Sequence, residues 1–195
     1  MISRIPIYSI ALFLHIVGAL GIFVALGLEW ASLLNLRRAE TGEQGRLWLK
    51  LYTSLSRLYP LSWLLILIPG FYMTAVAWRG AAWISVALVA VVLLAVLGAA
   101  LGGRQMAPIR QALSAQGGPL SAPTRDQINN PLLWSSLWIR TGIALGIVFL
   151  MVVKPGLSGA LISLGVAIIL AWVLSLPARR REREQMQDRK AEDSV

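Results

Sequence analysis

The charged residues of the chain are spaced so that long apolar stretches lie between them. Asp, Glu, Lys and Arg are absent from three stretches of 24 residues and one of 21, namely 5–28, 80–103, 155–178 and 58–78. A 24-residue helix is about 36 Å long and can cross a hydrocarbon core of about 30 Å. A fifth stretch, 132–153, is equally apolar but contains one arginine. Because the apolar residues do not alternate as in barrel strands, each stretch predicts a transmembrane helix.

The predicted fold class is therefore all-α, a polytopic membrane protein with five transmembrane helices in a bundle. The spans are predicted at 7–34, 58–78, 81–102, 132–153 and 157–177. They form one predicted domain, 1–177, which a charged cytoplasmic tail, 178–195, follows. The first apolar stretch is much longer than the roughly 7–15 residues of a signal-peptide core, so we expect it to stay in the mature protein.

The distribution of Lys and Arg predicts the orientation. Five spans place residues 37–57, residues 103–131 and the tail on one side, and these segments hold fourteen Lys and Arg. The other side holds three, which are Arg4, Arg79 and Lys154. Since Lys and Arg accumulate on the cytoplasmic side, we expect the N-terminus outside and the C-terminus in the cytoplasm, in a bacterial inner membrane.

Composition removes several classes of function. Apolar residues make up 57% of the chain, charged residues 14%, and cysteine is absent. The mean hydropathy is +0.69. These values exclude a disordered chain, a disulfide scaffold, a zinc–thiolate site and a cysteine nucleophile. We assign the net charge of +9 to orientation and to contact with anionic lipids, and not to nucleic acid, which would require a folded basic face with stacking groups.

Two cytoplasmic segments space their apolar residues helically and predict short surface helices. One is 46–58, with Trp48 and Tyr52 as interface anchors, and the other runs from Met106 to Leu113. Within the spans, small residues four apart permit close helix packing. These rows serve either packing within the chain or a dimer face: Gly159, Ser163, Ala167 and Ala171; Gly142 and Gly146; Gly98 and Gly102.

One face of the first predicted helix is small or polar, whereas the rest of that helix is apolar. The face consists of Ala11, His15, Gly18, Ile22, Ala25, Glu29 and Ser32. Histidine and glutamate are costly against lipid, so we expect this face to point into the bundle. Two interpretations of His15 remain open. It is a packing residue that hydrogen-bonds a neighbouring carbonyl or hydroxyl, or it belongs to a polar track through the outer half of the membrane.

Two ionisable residues, Glu29 and Arg140, lie within the predicted spans. Arg140 is about two turns from the cytoplasmic end of the fourth span, and a long side chain can extend that far toward water. Glu29 is the only acid near any span. We predict that the two form a mainly structural ion pair, and a proton or ion relay is the alternative.

A haem or metal site is a further alternative. His15 is the only histidine, so bis-His ligation within the chain is impossible. Met73 is predicted at nearly the depth of His15, and a His15/Met73 pair could ligate haem b, although Met73 also suits a core position. The sequence shows no Ser/His/Asp set, paired carboxylates, phosphate-binding glycine loop or zinc-ligand spacing. We therefore expect no enzyme activity, no resident cofactor and no metal site.

Three stretches carry a resemblance to a known family. They are FLHIVGALGIFVALGLEW in the first helix, LSRLYPLSWLLILIPGFYMT leading into the second, and LGGRQMAPIRQAL after the third. They resemble bacterial predicted integral membrane proteins of unknown function, which share a His-Gly first helix with copper-resistance D-like membrane proteins. The matching stretches lie within the first 115 residues. The resemblance implies that His15 and Gly18 match the first-helix motif.

We expect a small non-enzymatic integral membrane protein, an accessory or scaffold subunit of a larger membrane assembly. Its expected partners are the bilayer, including anionic lipids, and other membrane subunits or a second copy of itself. The alternatives are a small transporter and a haem- or metal-binding electron-transfer component that uses His15.

Overall fold

The computed structural model describes residues 4–115 and 117–192, with side chains described for 7–54, 57–100, 104–115 and 117–176. Seven α-helices and one π-helical segment account for nearly all of it. They are α1 (Arg4–Arg38), α2 (Gly42–Ala77), α3 (Ala82–Leu97), the π-helical segment (Gly98–Gly103), α4 (Arg104–Ala115), α5 (Ala122–Ile128), α6 (Pro131–Val153) and α7 (Leu157–Glu192). Within the described part, the β-structure consists of one isolated antiparallel bridge between Thr41 and Pro119.

In the part of the chain that the structure describes, five helical stretches are long and apolar enough to cross a membrane. They are Ile7–Arg38, Gly42–Ala77, Ala82–Ala115, Ala122–Val153 and Leu157–Leu176. The prediction of an all-helical chain with five such helices is confirmed. The prediction holds because a helix in lipid satisfies its own backbone hydrogen-bonding groups while its apolar side chains face outward.

The helices extend beyond several predicted ends. The helix α2 begins at Gly42 rather than at residue 58, and the predicted surface helix 46–58 is its first part. Thr41 caps it, since its Oγ1 accepts a hydrogen bond from the backbone N–H of Gln44 at 3.3 Å. The helix continues through Pro60, which lies where the amphipathic segment meets the apolar one.

The predicted surface helix from Met106 to Leu113 is present, but its apolar face is buried. It lies within α4, which follows α3 through the π-helical segment. Met106, Ile109 and Leu113 are only 1%, 0% and 0% exposed. The helix predicted from the spacing is confirmed, but these side chains lie inside the protein and do not point toward a membrane surface.

The last three helices include one that the sequence analysis did not identify. The short helix α5 follows Ser121, whose hydroxyl lies 2.9 Å from that of Thr124. The helix α6 starts after Asn130, whose side chain accepts from the backbone N–H of Leu132, and ends at Lys154 in a left-handed conformation with φ of 52°. The helix α7 continues beyond the predicted span 157–177. Its backbone stays helical through the predicted tail to Glu192.

The chain divides into two compact units. The first comprises Met1–Ile84 and Leu113–Leu120, and the second comprises Ser85–Ala112 and Ser121–Val195. In the first unit, α1 and α2 form an antiparallel pair. Gly18 brings them close, because a Cβ added there would lie 2.9 Å from the backbone nitrogen of Ile66. The packing of α1 on α2 thus requires a residue without a side chain at this point.

In the second unit, two of the predicted rows of small residues contact each other, one on α6 and one on α7. A Cβ added to Gly142 of α6 would lie 2.7 Å from the backbone oxygen of Ala167 and against the methyl group of Ala171 on α7. A Cβ added to Gly146 would lie 3.3 Å from that of Ala167. These residues are therefore used in packing within the chain, where they let the two helices approach closely.

The segment Leu113–Leu120 closes the first unit at the turn between α1 and α2. The backbone N–H of Leu120 donates to the carbonyl of Glu40 at 3.0 Å, and that of Gly42 donates to the carbonyl of Gly118 at 2.9 Å. These two bonds flank the Thr41–Pro119 bridge and attach the segment to the start of α2.

Candidate functional site

Polar side chains of the first unit meet at three levels along the interface of α1 and α2. Near one end, Nε1 of Trp78 donates to the hydroxyl of Tyr8 at 3.2 Å. The second level is the hydrogen bond between His15 and the backbone of α2, and the third is a cluster around Glu29. The predicted polar face of α1 therefore does face a neighbouring helix, and we define these three levels together as the α1–α2 polar interface.

His15 donates a hydrogen bond from Nδ1 to the backbone carbonyl of Ile66, at 2.8 Å. A carbonyl can only accept, so Nδ1 carries a proton in this bond. Gly70 leaves room for the ring, since a Cβ added there would lie 3.3 Å from both Nδ1 and Cε1. Gly18, one turn along α1, provides the close approach that brings the ring within reach of that carbonyl.

The carbonyl that His15 uses lies beside a break in the hydrogen bonding of α2. Pro69 is inside that helix and has no N–H, so the carbonyl of Leu65 lacks its usual helical donor. Ile66 is the next residue along the chain. His15 thus supports α2 at the point where proline weakens it.

Glu29 is almost completely buried, with 1% of its surface exposed, and two tyrosines of α2 bind it. The hydroxyl of Tyr59 donates to Oε2 at 2.7 Å, and that of Tyr52 donates to Oε1 at 3.4 Å. The two tyrosines are seven residues apart, which is about two helical turns, so they lie on the same face of α2. Each carboxylate oxygen therefore has one phenol directed at it.

The sequence analysis missed this cluster. Tyr52 was predicted as an interface anchor, and Tyr59 was not singled out. Two signals were available: the spacing of seven between the tyrosines, and the presence of only one acid near the spans. Neither identifies a contact without the register of α1 against α2, which the sequence alone does not supply.

Arg140 is also buried, with 3% of its surface exposed, and it belongs to the second unit. Its Nε donates over a long distance, 3.4 Å, to the carbonyl of Ser136 one turn earlier in α6. The guanidinium lies beside the start of the π-helical segment, where a Cβ added to Gly98 would be 3.7 Å from Nη1. Glu29 lies in the first unit, so the Glu29–Arg140 ion pair stays a prediction.

Met73 is buried in α2, with 8% of its surface exposed, and lies one turn beyond Gly70. Its predicted pairing with His15 around a haem stays a prediction. Among the residues whose positions are described, no group of three or more His, Cys, Asp or Glu side chains could hold a metal ion.

The remaining polar residues of the spans mostly bond within their own helices. Several hydroxyl or amide groups donate to the carbonyl four residues earlier: Ser32 to Leu28, Asn35 to Ala31, Thr74 to Gly70, Ser135 to Pro131 and Thr141 to Leu137. Such bonds give the hydroxyl or amide hydrogen an acceptor within the helix itself.

Comparison of the chain with protein-family models, with curated proteins and with solved structures finds no match. The class of protein therefore follows from the fold alone. It is an all-helical chain with five helices long and apolar enough to cross a membrane, which is the character of a multi-pass membrane protein.

Proposed function

We propose that this protein is a non-enzymatic accessory or scaffold subunit of a larger assembly in the bacterial inner membrane. The strongest support is that the polar side chains of the α1–α2 polar interface form hydrogen bonds between the two helices. His15 binds a backbone carbonyl, and Glu29 accepts from two phenols, so both residues hold helices together. The exposed side chains of α1 and of residues 157–174 in α7 are largely apolar and are available to lipid or to other subunits.

The proposal includes a bundle of five spans with the N-terminus outside and the C-terminus in the cytoplasm. An aromatic cluster at one end of the first unit suits a membrane interface, and two arginines at the opposite end of α1 support this orientation. Trp78 binds Tyr8 and stacks edge-on against Trp83, with ring centroids 5.8 Å apart. Tyrosine and tryptophan are enriched at membrane interfaces, and the opposite end of α1 carries Arg37 and Arg38, as expected for a cytoplasmic end.

Anionic lipid is the second expected partner. Arg38, Lys50 and Arg57 are exposed on the first unit, near the end of α1 and in the first half of α2. Basic residues next to a span attract anionic headgroups by about 1 kcal/mol each. These residues would therefore hold the cytoplasmic end at the membrane surface.

Co-purification from native membranes tests the scaffold proposal. The protein is expressed at its natural level with a tag after Val195 and is extracted in a mild detergent. An unrelated multi-pass protein with the same tag is the control. We expect one or a few membrane proteins in fixed ratio to the tagged chain and absent from the control. Recovery of the tagged chain alone, under conditions that preserve a known membrane complex, would reject the proposal.

A second candidate function is electron transfer through a haem or metal bound by His15. The observation that favours it is the hydrogen bond from Nδ1 to a backbone carbonyl, because metal-ligating histidines are commonly oriented in this way with Nε2 left to bind. Met73 would be the second ligand. The test is the visible spectrum of the protein purified from its native membrane. Haem absorption that disappears in His15→Gln would favour this candidate over the scaffold.

A further inference from the structure

We propose that a backbone carbonyl of the π-helical segment accepts a hydrogen bond from the guanidinium of Arg140, and that this contact fixes the direction of α4 relative to α3. The inference concerns the second unit alone, to which residues 85–112 and α6 belong. It goes beyond the scaffold role and does not depend on it. It starts from a widened turn in a long apolar helix and from the arginine that lies against that turn.

A π-helical segment inside an α-helix leaves one carbonyl without a helical donor. Within the segment, a backbone N–H donates to the carbonyl five residues earlier, whereas in α4 it donates to the carbonyl four residues earlier. Where the spacing changes from five to four, one carbonyl of the segment is passed over. The segment lies within the stretch Ala82–Ala115, which is apolar enough to cross a membrane. Lipid supplies no donor there, so the carbonyl needs one from protein.

Arg140 places hydrogen-bond donors at the start of this segment. A Cβ added to Gly98 would lie 3.7 Å from Nη1 and 4.0 Å from Cδ of Arg140, so the end of that side chain lies against the helix there. The segment extends over no more than about 8 Å along its axis, which brings the passed-over carbonyl near the same guanidinium. A guanidinium has five N–H donors, and the long bond from Nε to Ser136 uses one. The inference is therefore compatible with the predicted ion pair with Glu29.

The contact lowers the cost of both groups and sets the course of the helix. A charged side chain within a membrane is costly unless it is paired or bound to backbone carbonyls. The segment reads GAALGG, and half of its residues are glycine, a weak α-helix former, so the α-helical form has little advantage there. The widened turn holds about one residue more than an α-helical turn, which changes the direction in which α4 faces by about 100°. A residue of α6 thus determines the face that α4 presents.

Deletion of Ala99 tests this inference, because it removes the extra residue of the widened turn. Five residues wound as an α-helix end at about the same angle as six wound as a π-helix, so α4 keeps its direction while no carbonyl is passed over. Ala99 is exposed, so the deletion removes no buried side chain. The full-length protein is unfolded with SDS in mixed micelles in four forms: unaltered, with the deletion, with Arg140→Leu, and with both changes.

We expect the deletion to lower the folding equilibrium constant about tenfold or more when Arg140 is present, because the guanidinium loses its acceptor. With Arg140→Leu, the same deletion should cost clearly less or restore stability, because it removes a carbonyl left without a donor. The matched control is deletion of Val92, which is 56% exposed in the regular α-helix of α3. Its cost should be the same with and without Arg140. If Arg140→Leu alone does not fold, adding the deletion of Ala99 should recover folded protein, and no recovery would overturn the inference.

Two spin labels report whether α4 keeps its direction. They are attached to Val89→Cys and Arg110→Cys, at exposed positions of α3 and α4 in a chain that has no other cysteine. The distance between the labels, measured by pulsed electron paramagnetic resonance, should be the same in the protein with Arg140→Leu plus the deletion as in the protein without these two changes. A deletion cost that is no larger with Arg140 than without it, or a changed distance between the labels, would overturn the inference.

Discussion

The unequal distances of the two tyrosines from Glu29 make a quantitative prediction. A hydrogen bond between hydroxyl and carboxylate is strongest at about 2.5–2.7 Å and weakens steeply beyond about 3 Å. Tyr59 lies 2.7 Å from Oε2 and Tyr52 lies 3.4 Å from Oε1. Tyr59→Phe removes only the hydroxyl and should lower the free energy of unfolding by about 1.5–3 kcal/mol. Tyr52→Phe should lower it by less than Tyr59→Phe does, because its bond to Glu29 is longer.

The measurement is unfolding of the purified protein in mixed micelles with increasing SDS, followed by circular dichroism. A double-mutant cycle identifies the origin of the loss. In a Glu29→Leu background, Tyr59→Phe should cost clearly less than in the unaltered protein, because the bond to Glu29 is already absent. Two results would contradict the reasoning: a Tyr52→Phe loss as large as that of Tyr59→Phe, or an undiminished Tyr59→Phe loss in Glu29→Leu.

Three further predictions concern the ion pair, the orientation and the packing. Glu29→Gln and Arg140→Gln should each destabilise the protein in the same unfolding assay, and the double variant should lose less than their sum; additive losses would show that the two do not interact. A cysteine at Ser114 should resist an impermeant thiol reagent in sealed right-side-out vesicles and react after permeabilisation, whereas labelling from outside would refute the five-span orientation. Gly142→Ala should cost about 1–3 kcal/mol because α7 must move away, but Gly165→Ala, with open space around it, should be neutral or slightly stabilising.

The spans could be predicted from the sequence because lipid imposes a simple rule. A charge inside the hydrocarbon is costly, so charge-free stretches mark the parts of the chain that can lie there. The same rule does not mark where a helix ends, since a helix can continue into water. Residues 42–57 illustrate this: they alternate polar and apolar groups, so hydropathy leaves them out, yet they are the first part of α2.

The small-residue rows and the tyrosine cluster show what the sequence could not predict about packing between helices. The spacing of Gly142 and Gly146 predicted a close helix contact but did not say with which helix. The pairing of Glu29 with Tyr59 depends on how far α1 is shifted along α2, and a shift of one turn moves every contact by about 5.4 Å. Periodicity along one helix carries no information about that shift.

The three levels of the α1–α2 polar interface explain how that shift is fixed. In lipid there is no hydrophobic force between helices, and packing of small residues tolerates sliding by a turn. The contacts at Tyr8, His15 and Glu29 extend over 21 residues of α1, about 32 Å, and all three need the same register. A one-turn slip would break all three hydrogen bonds together. The polar residues of the first unit therefore select one register out of several that apolar packing would allow.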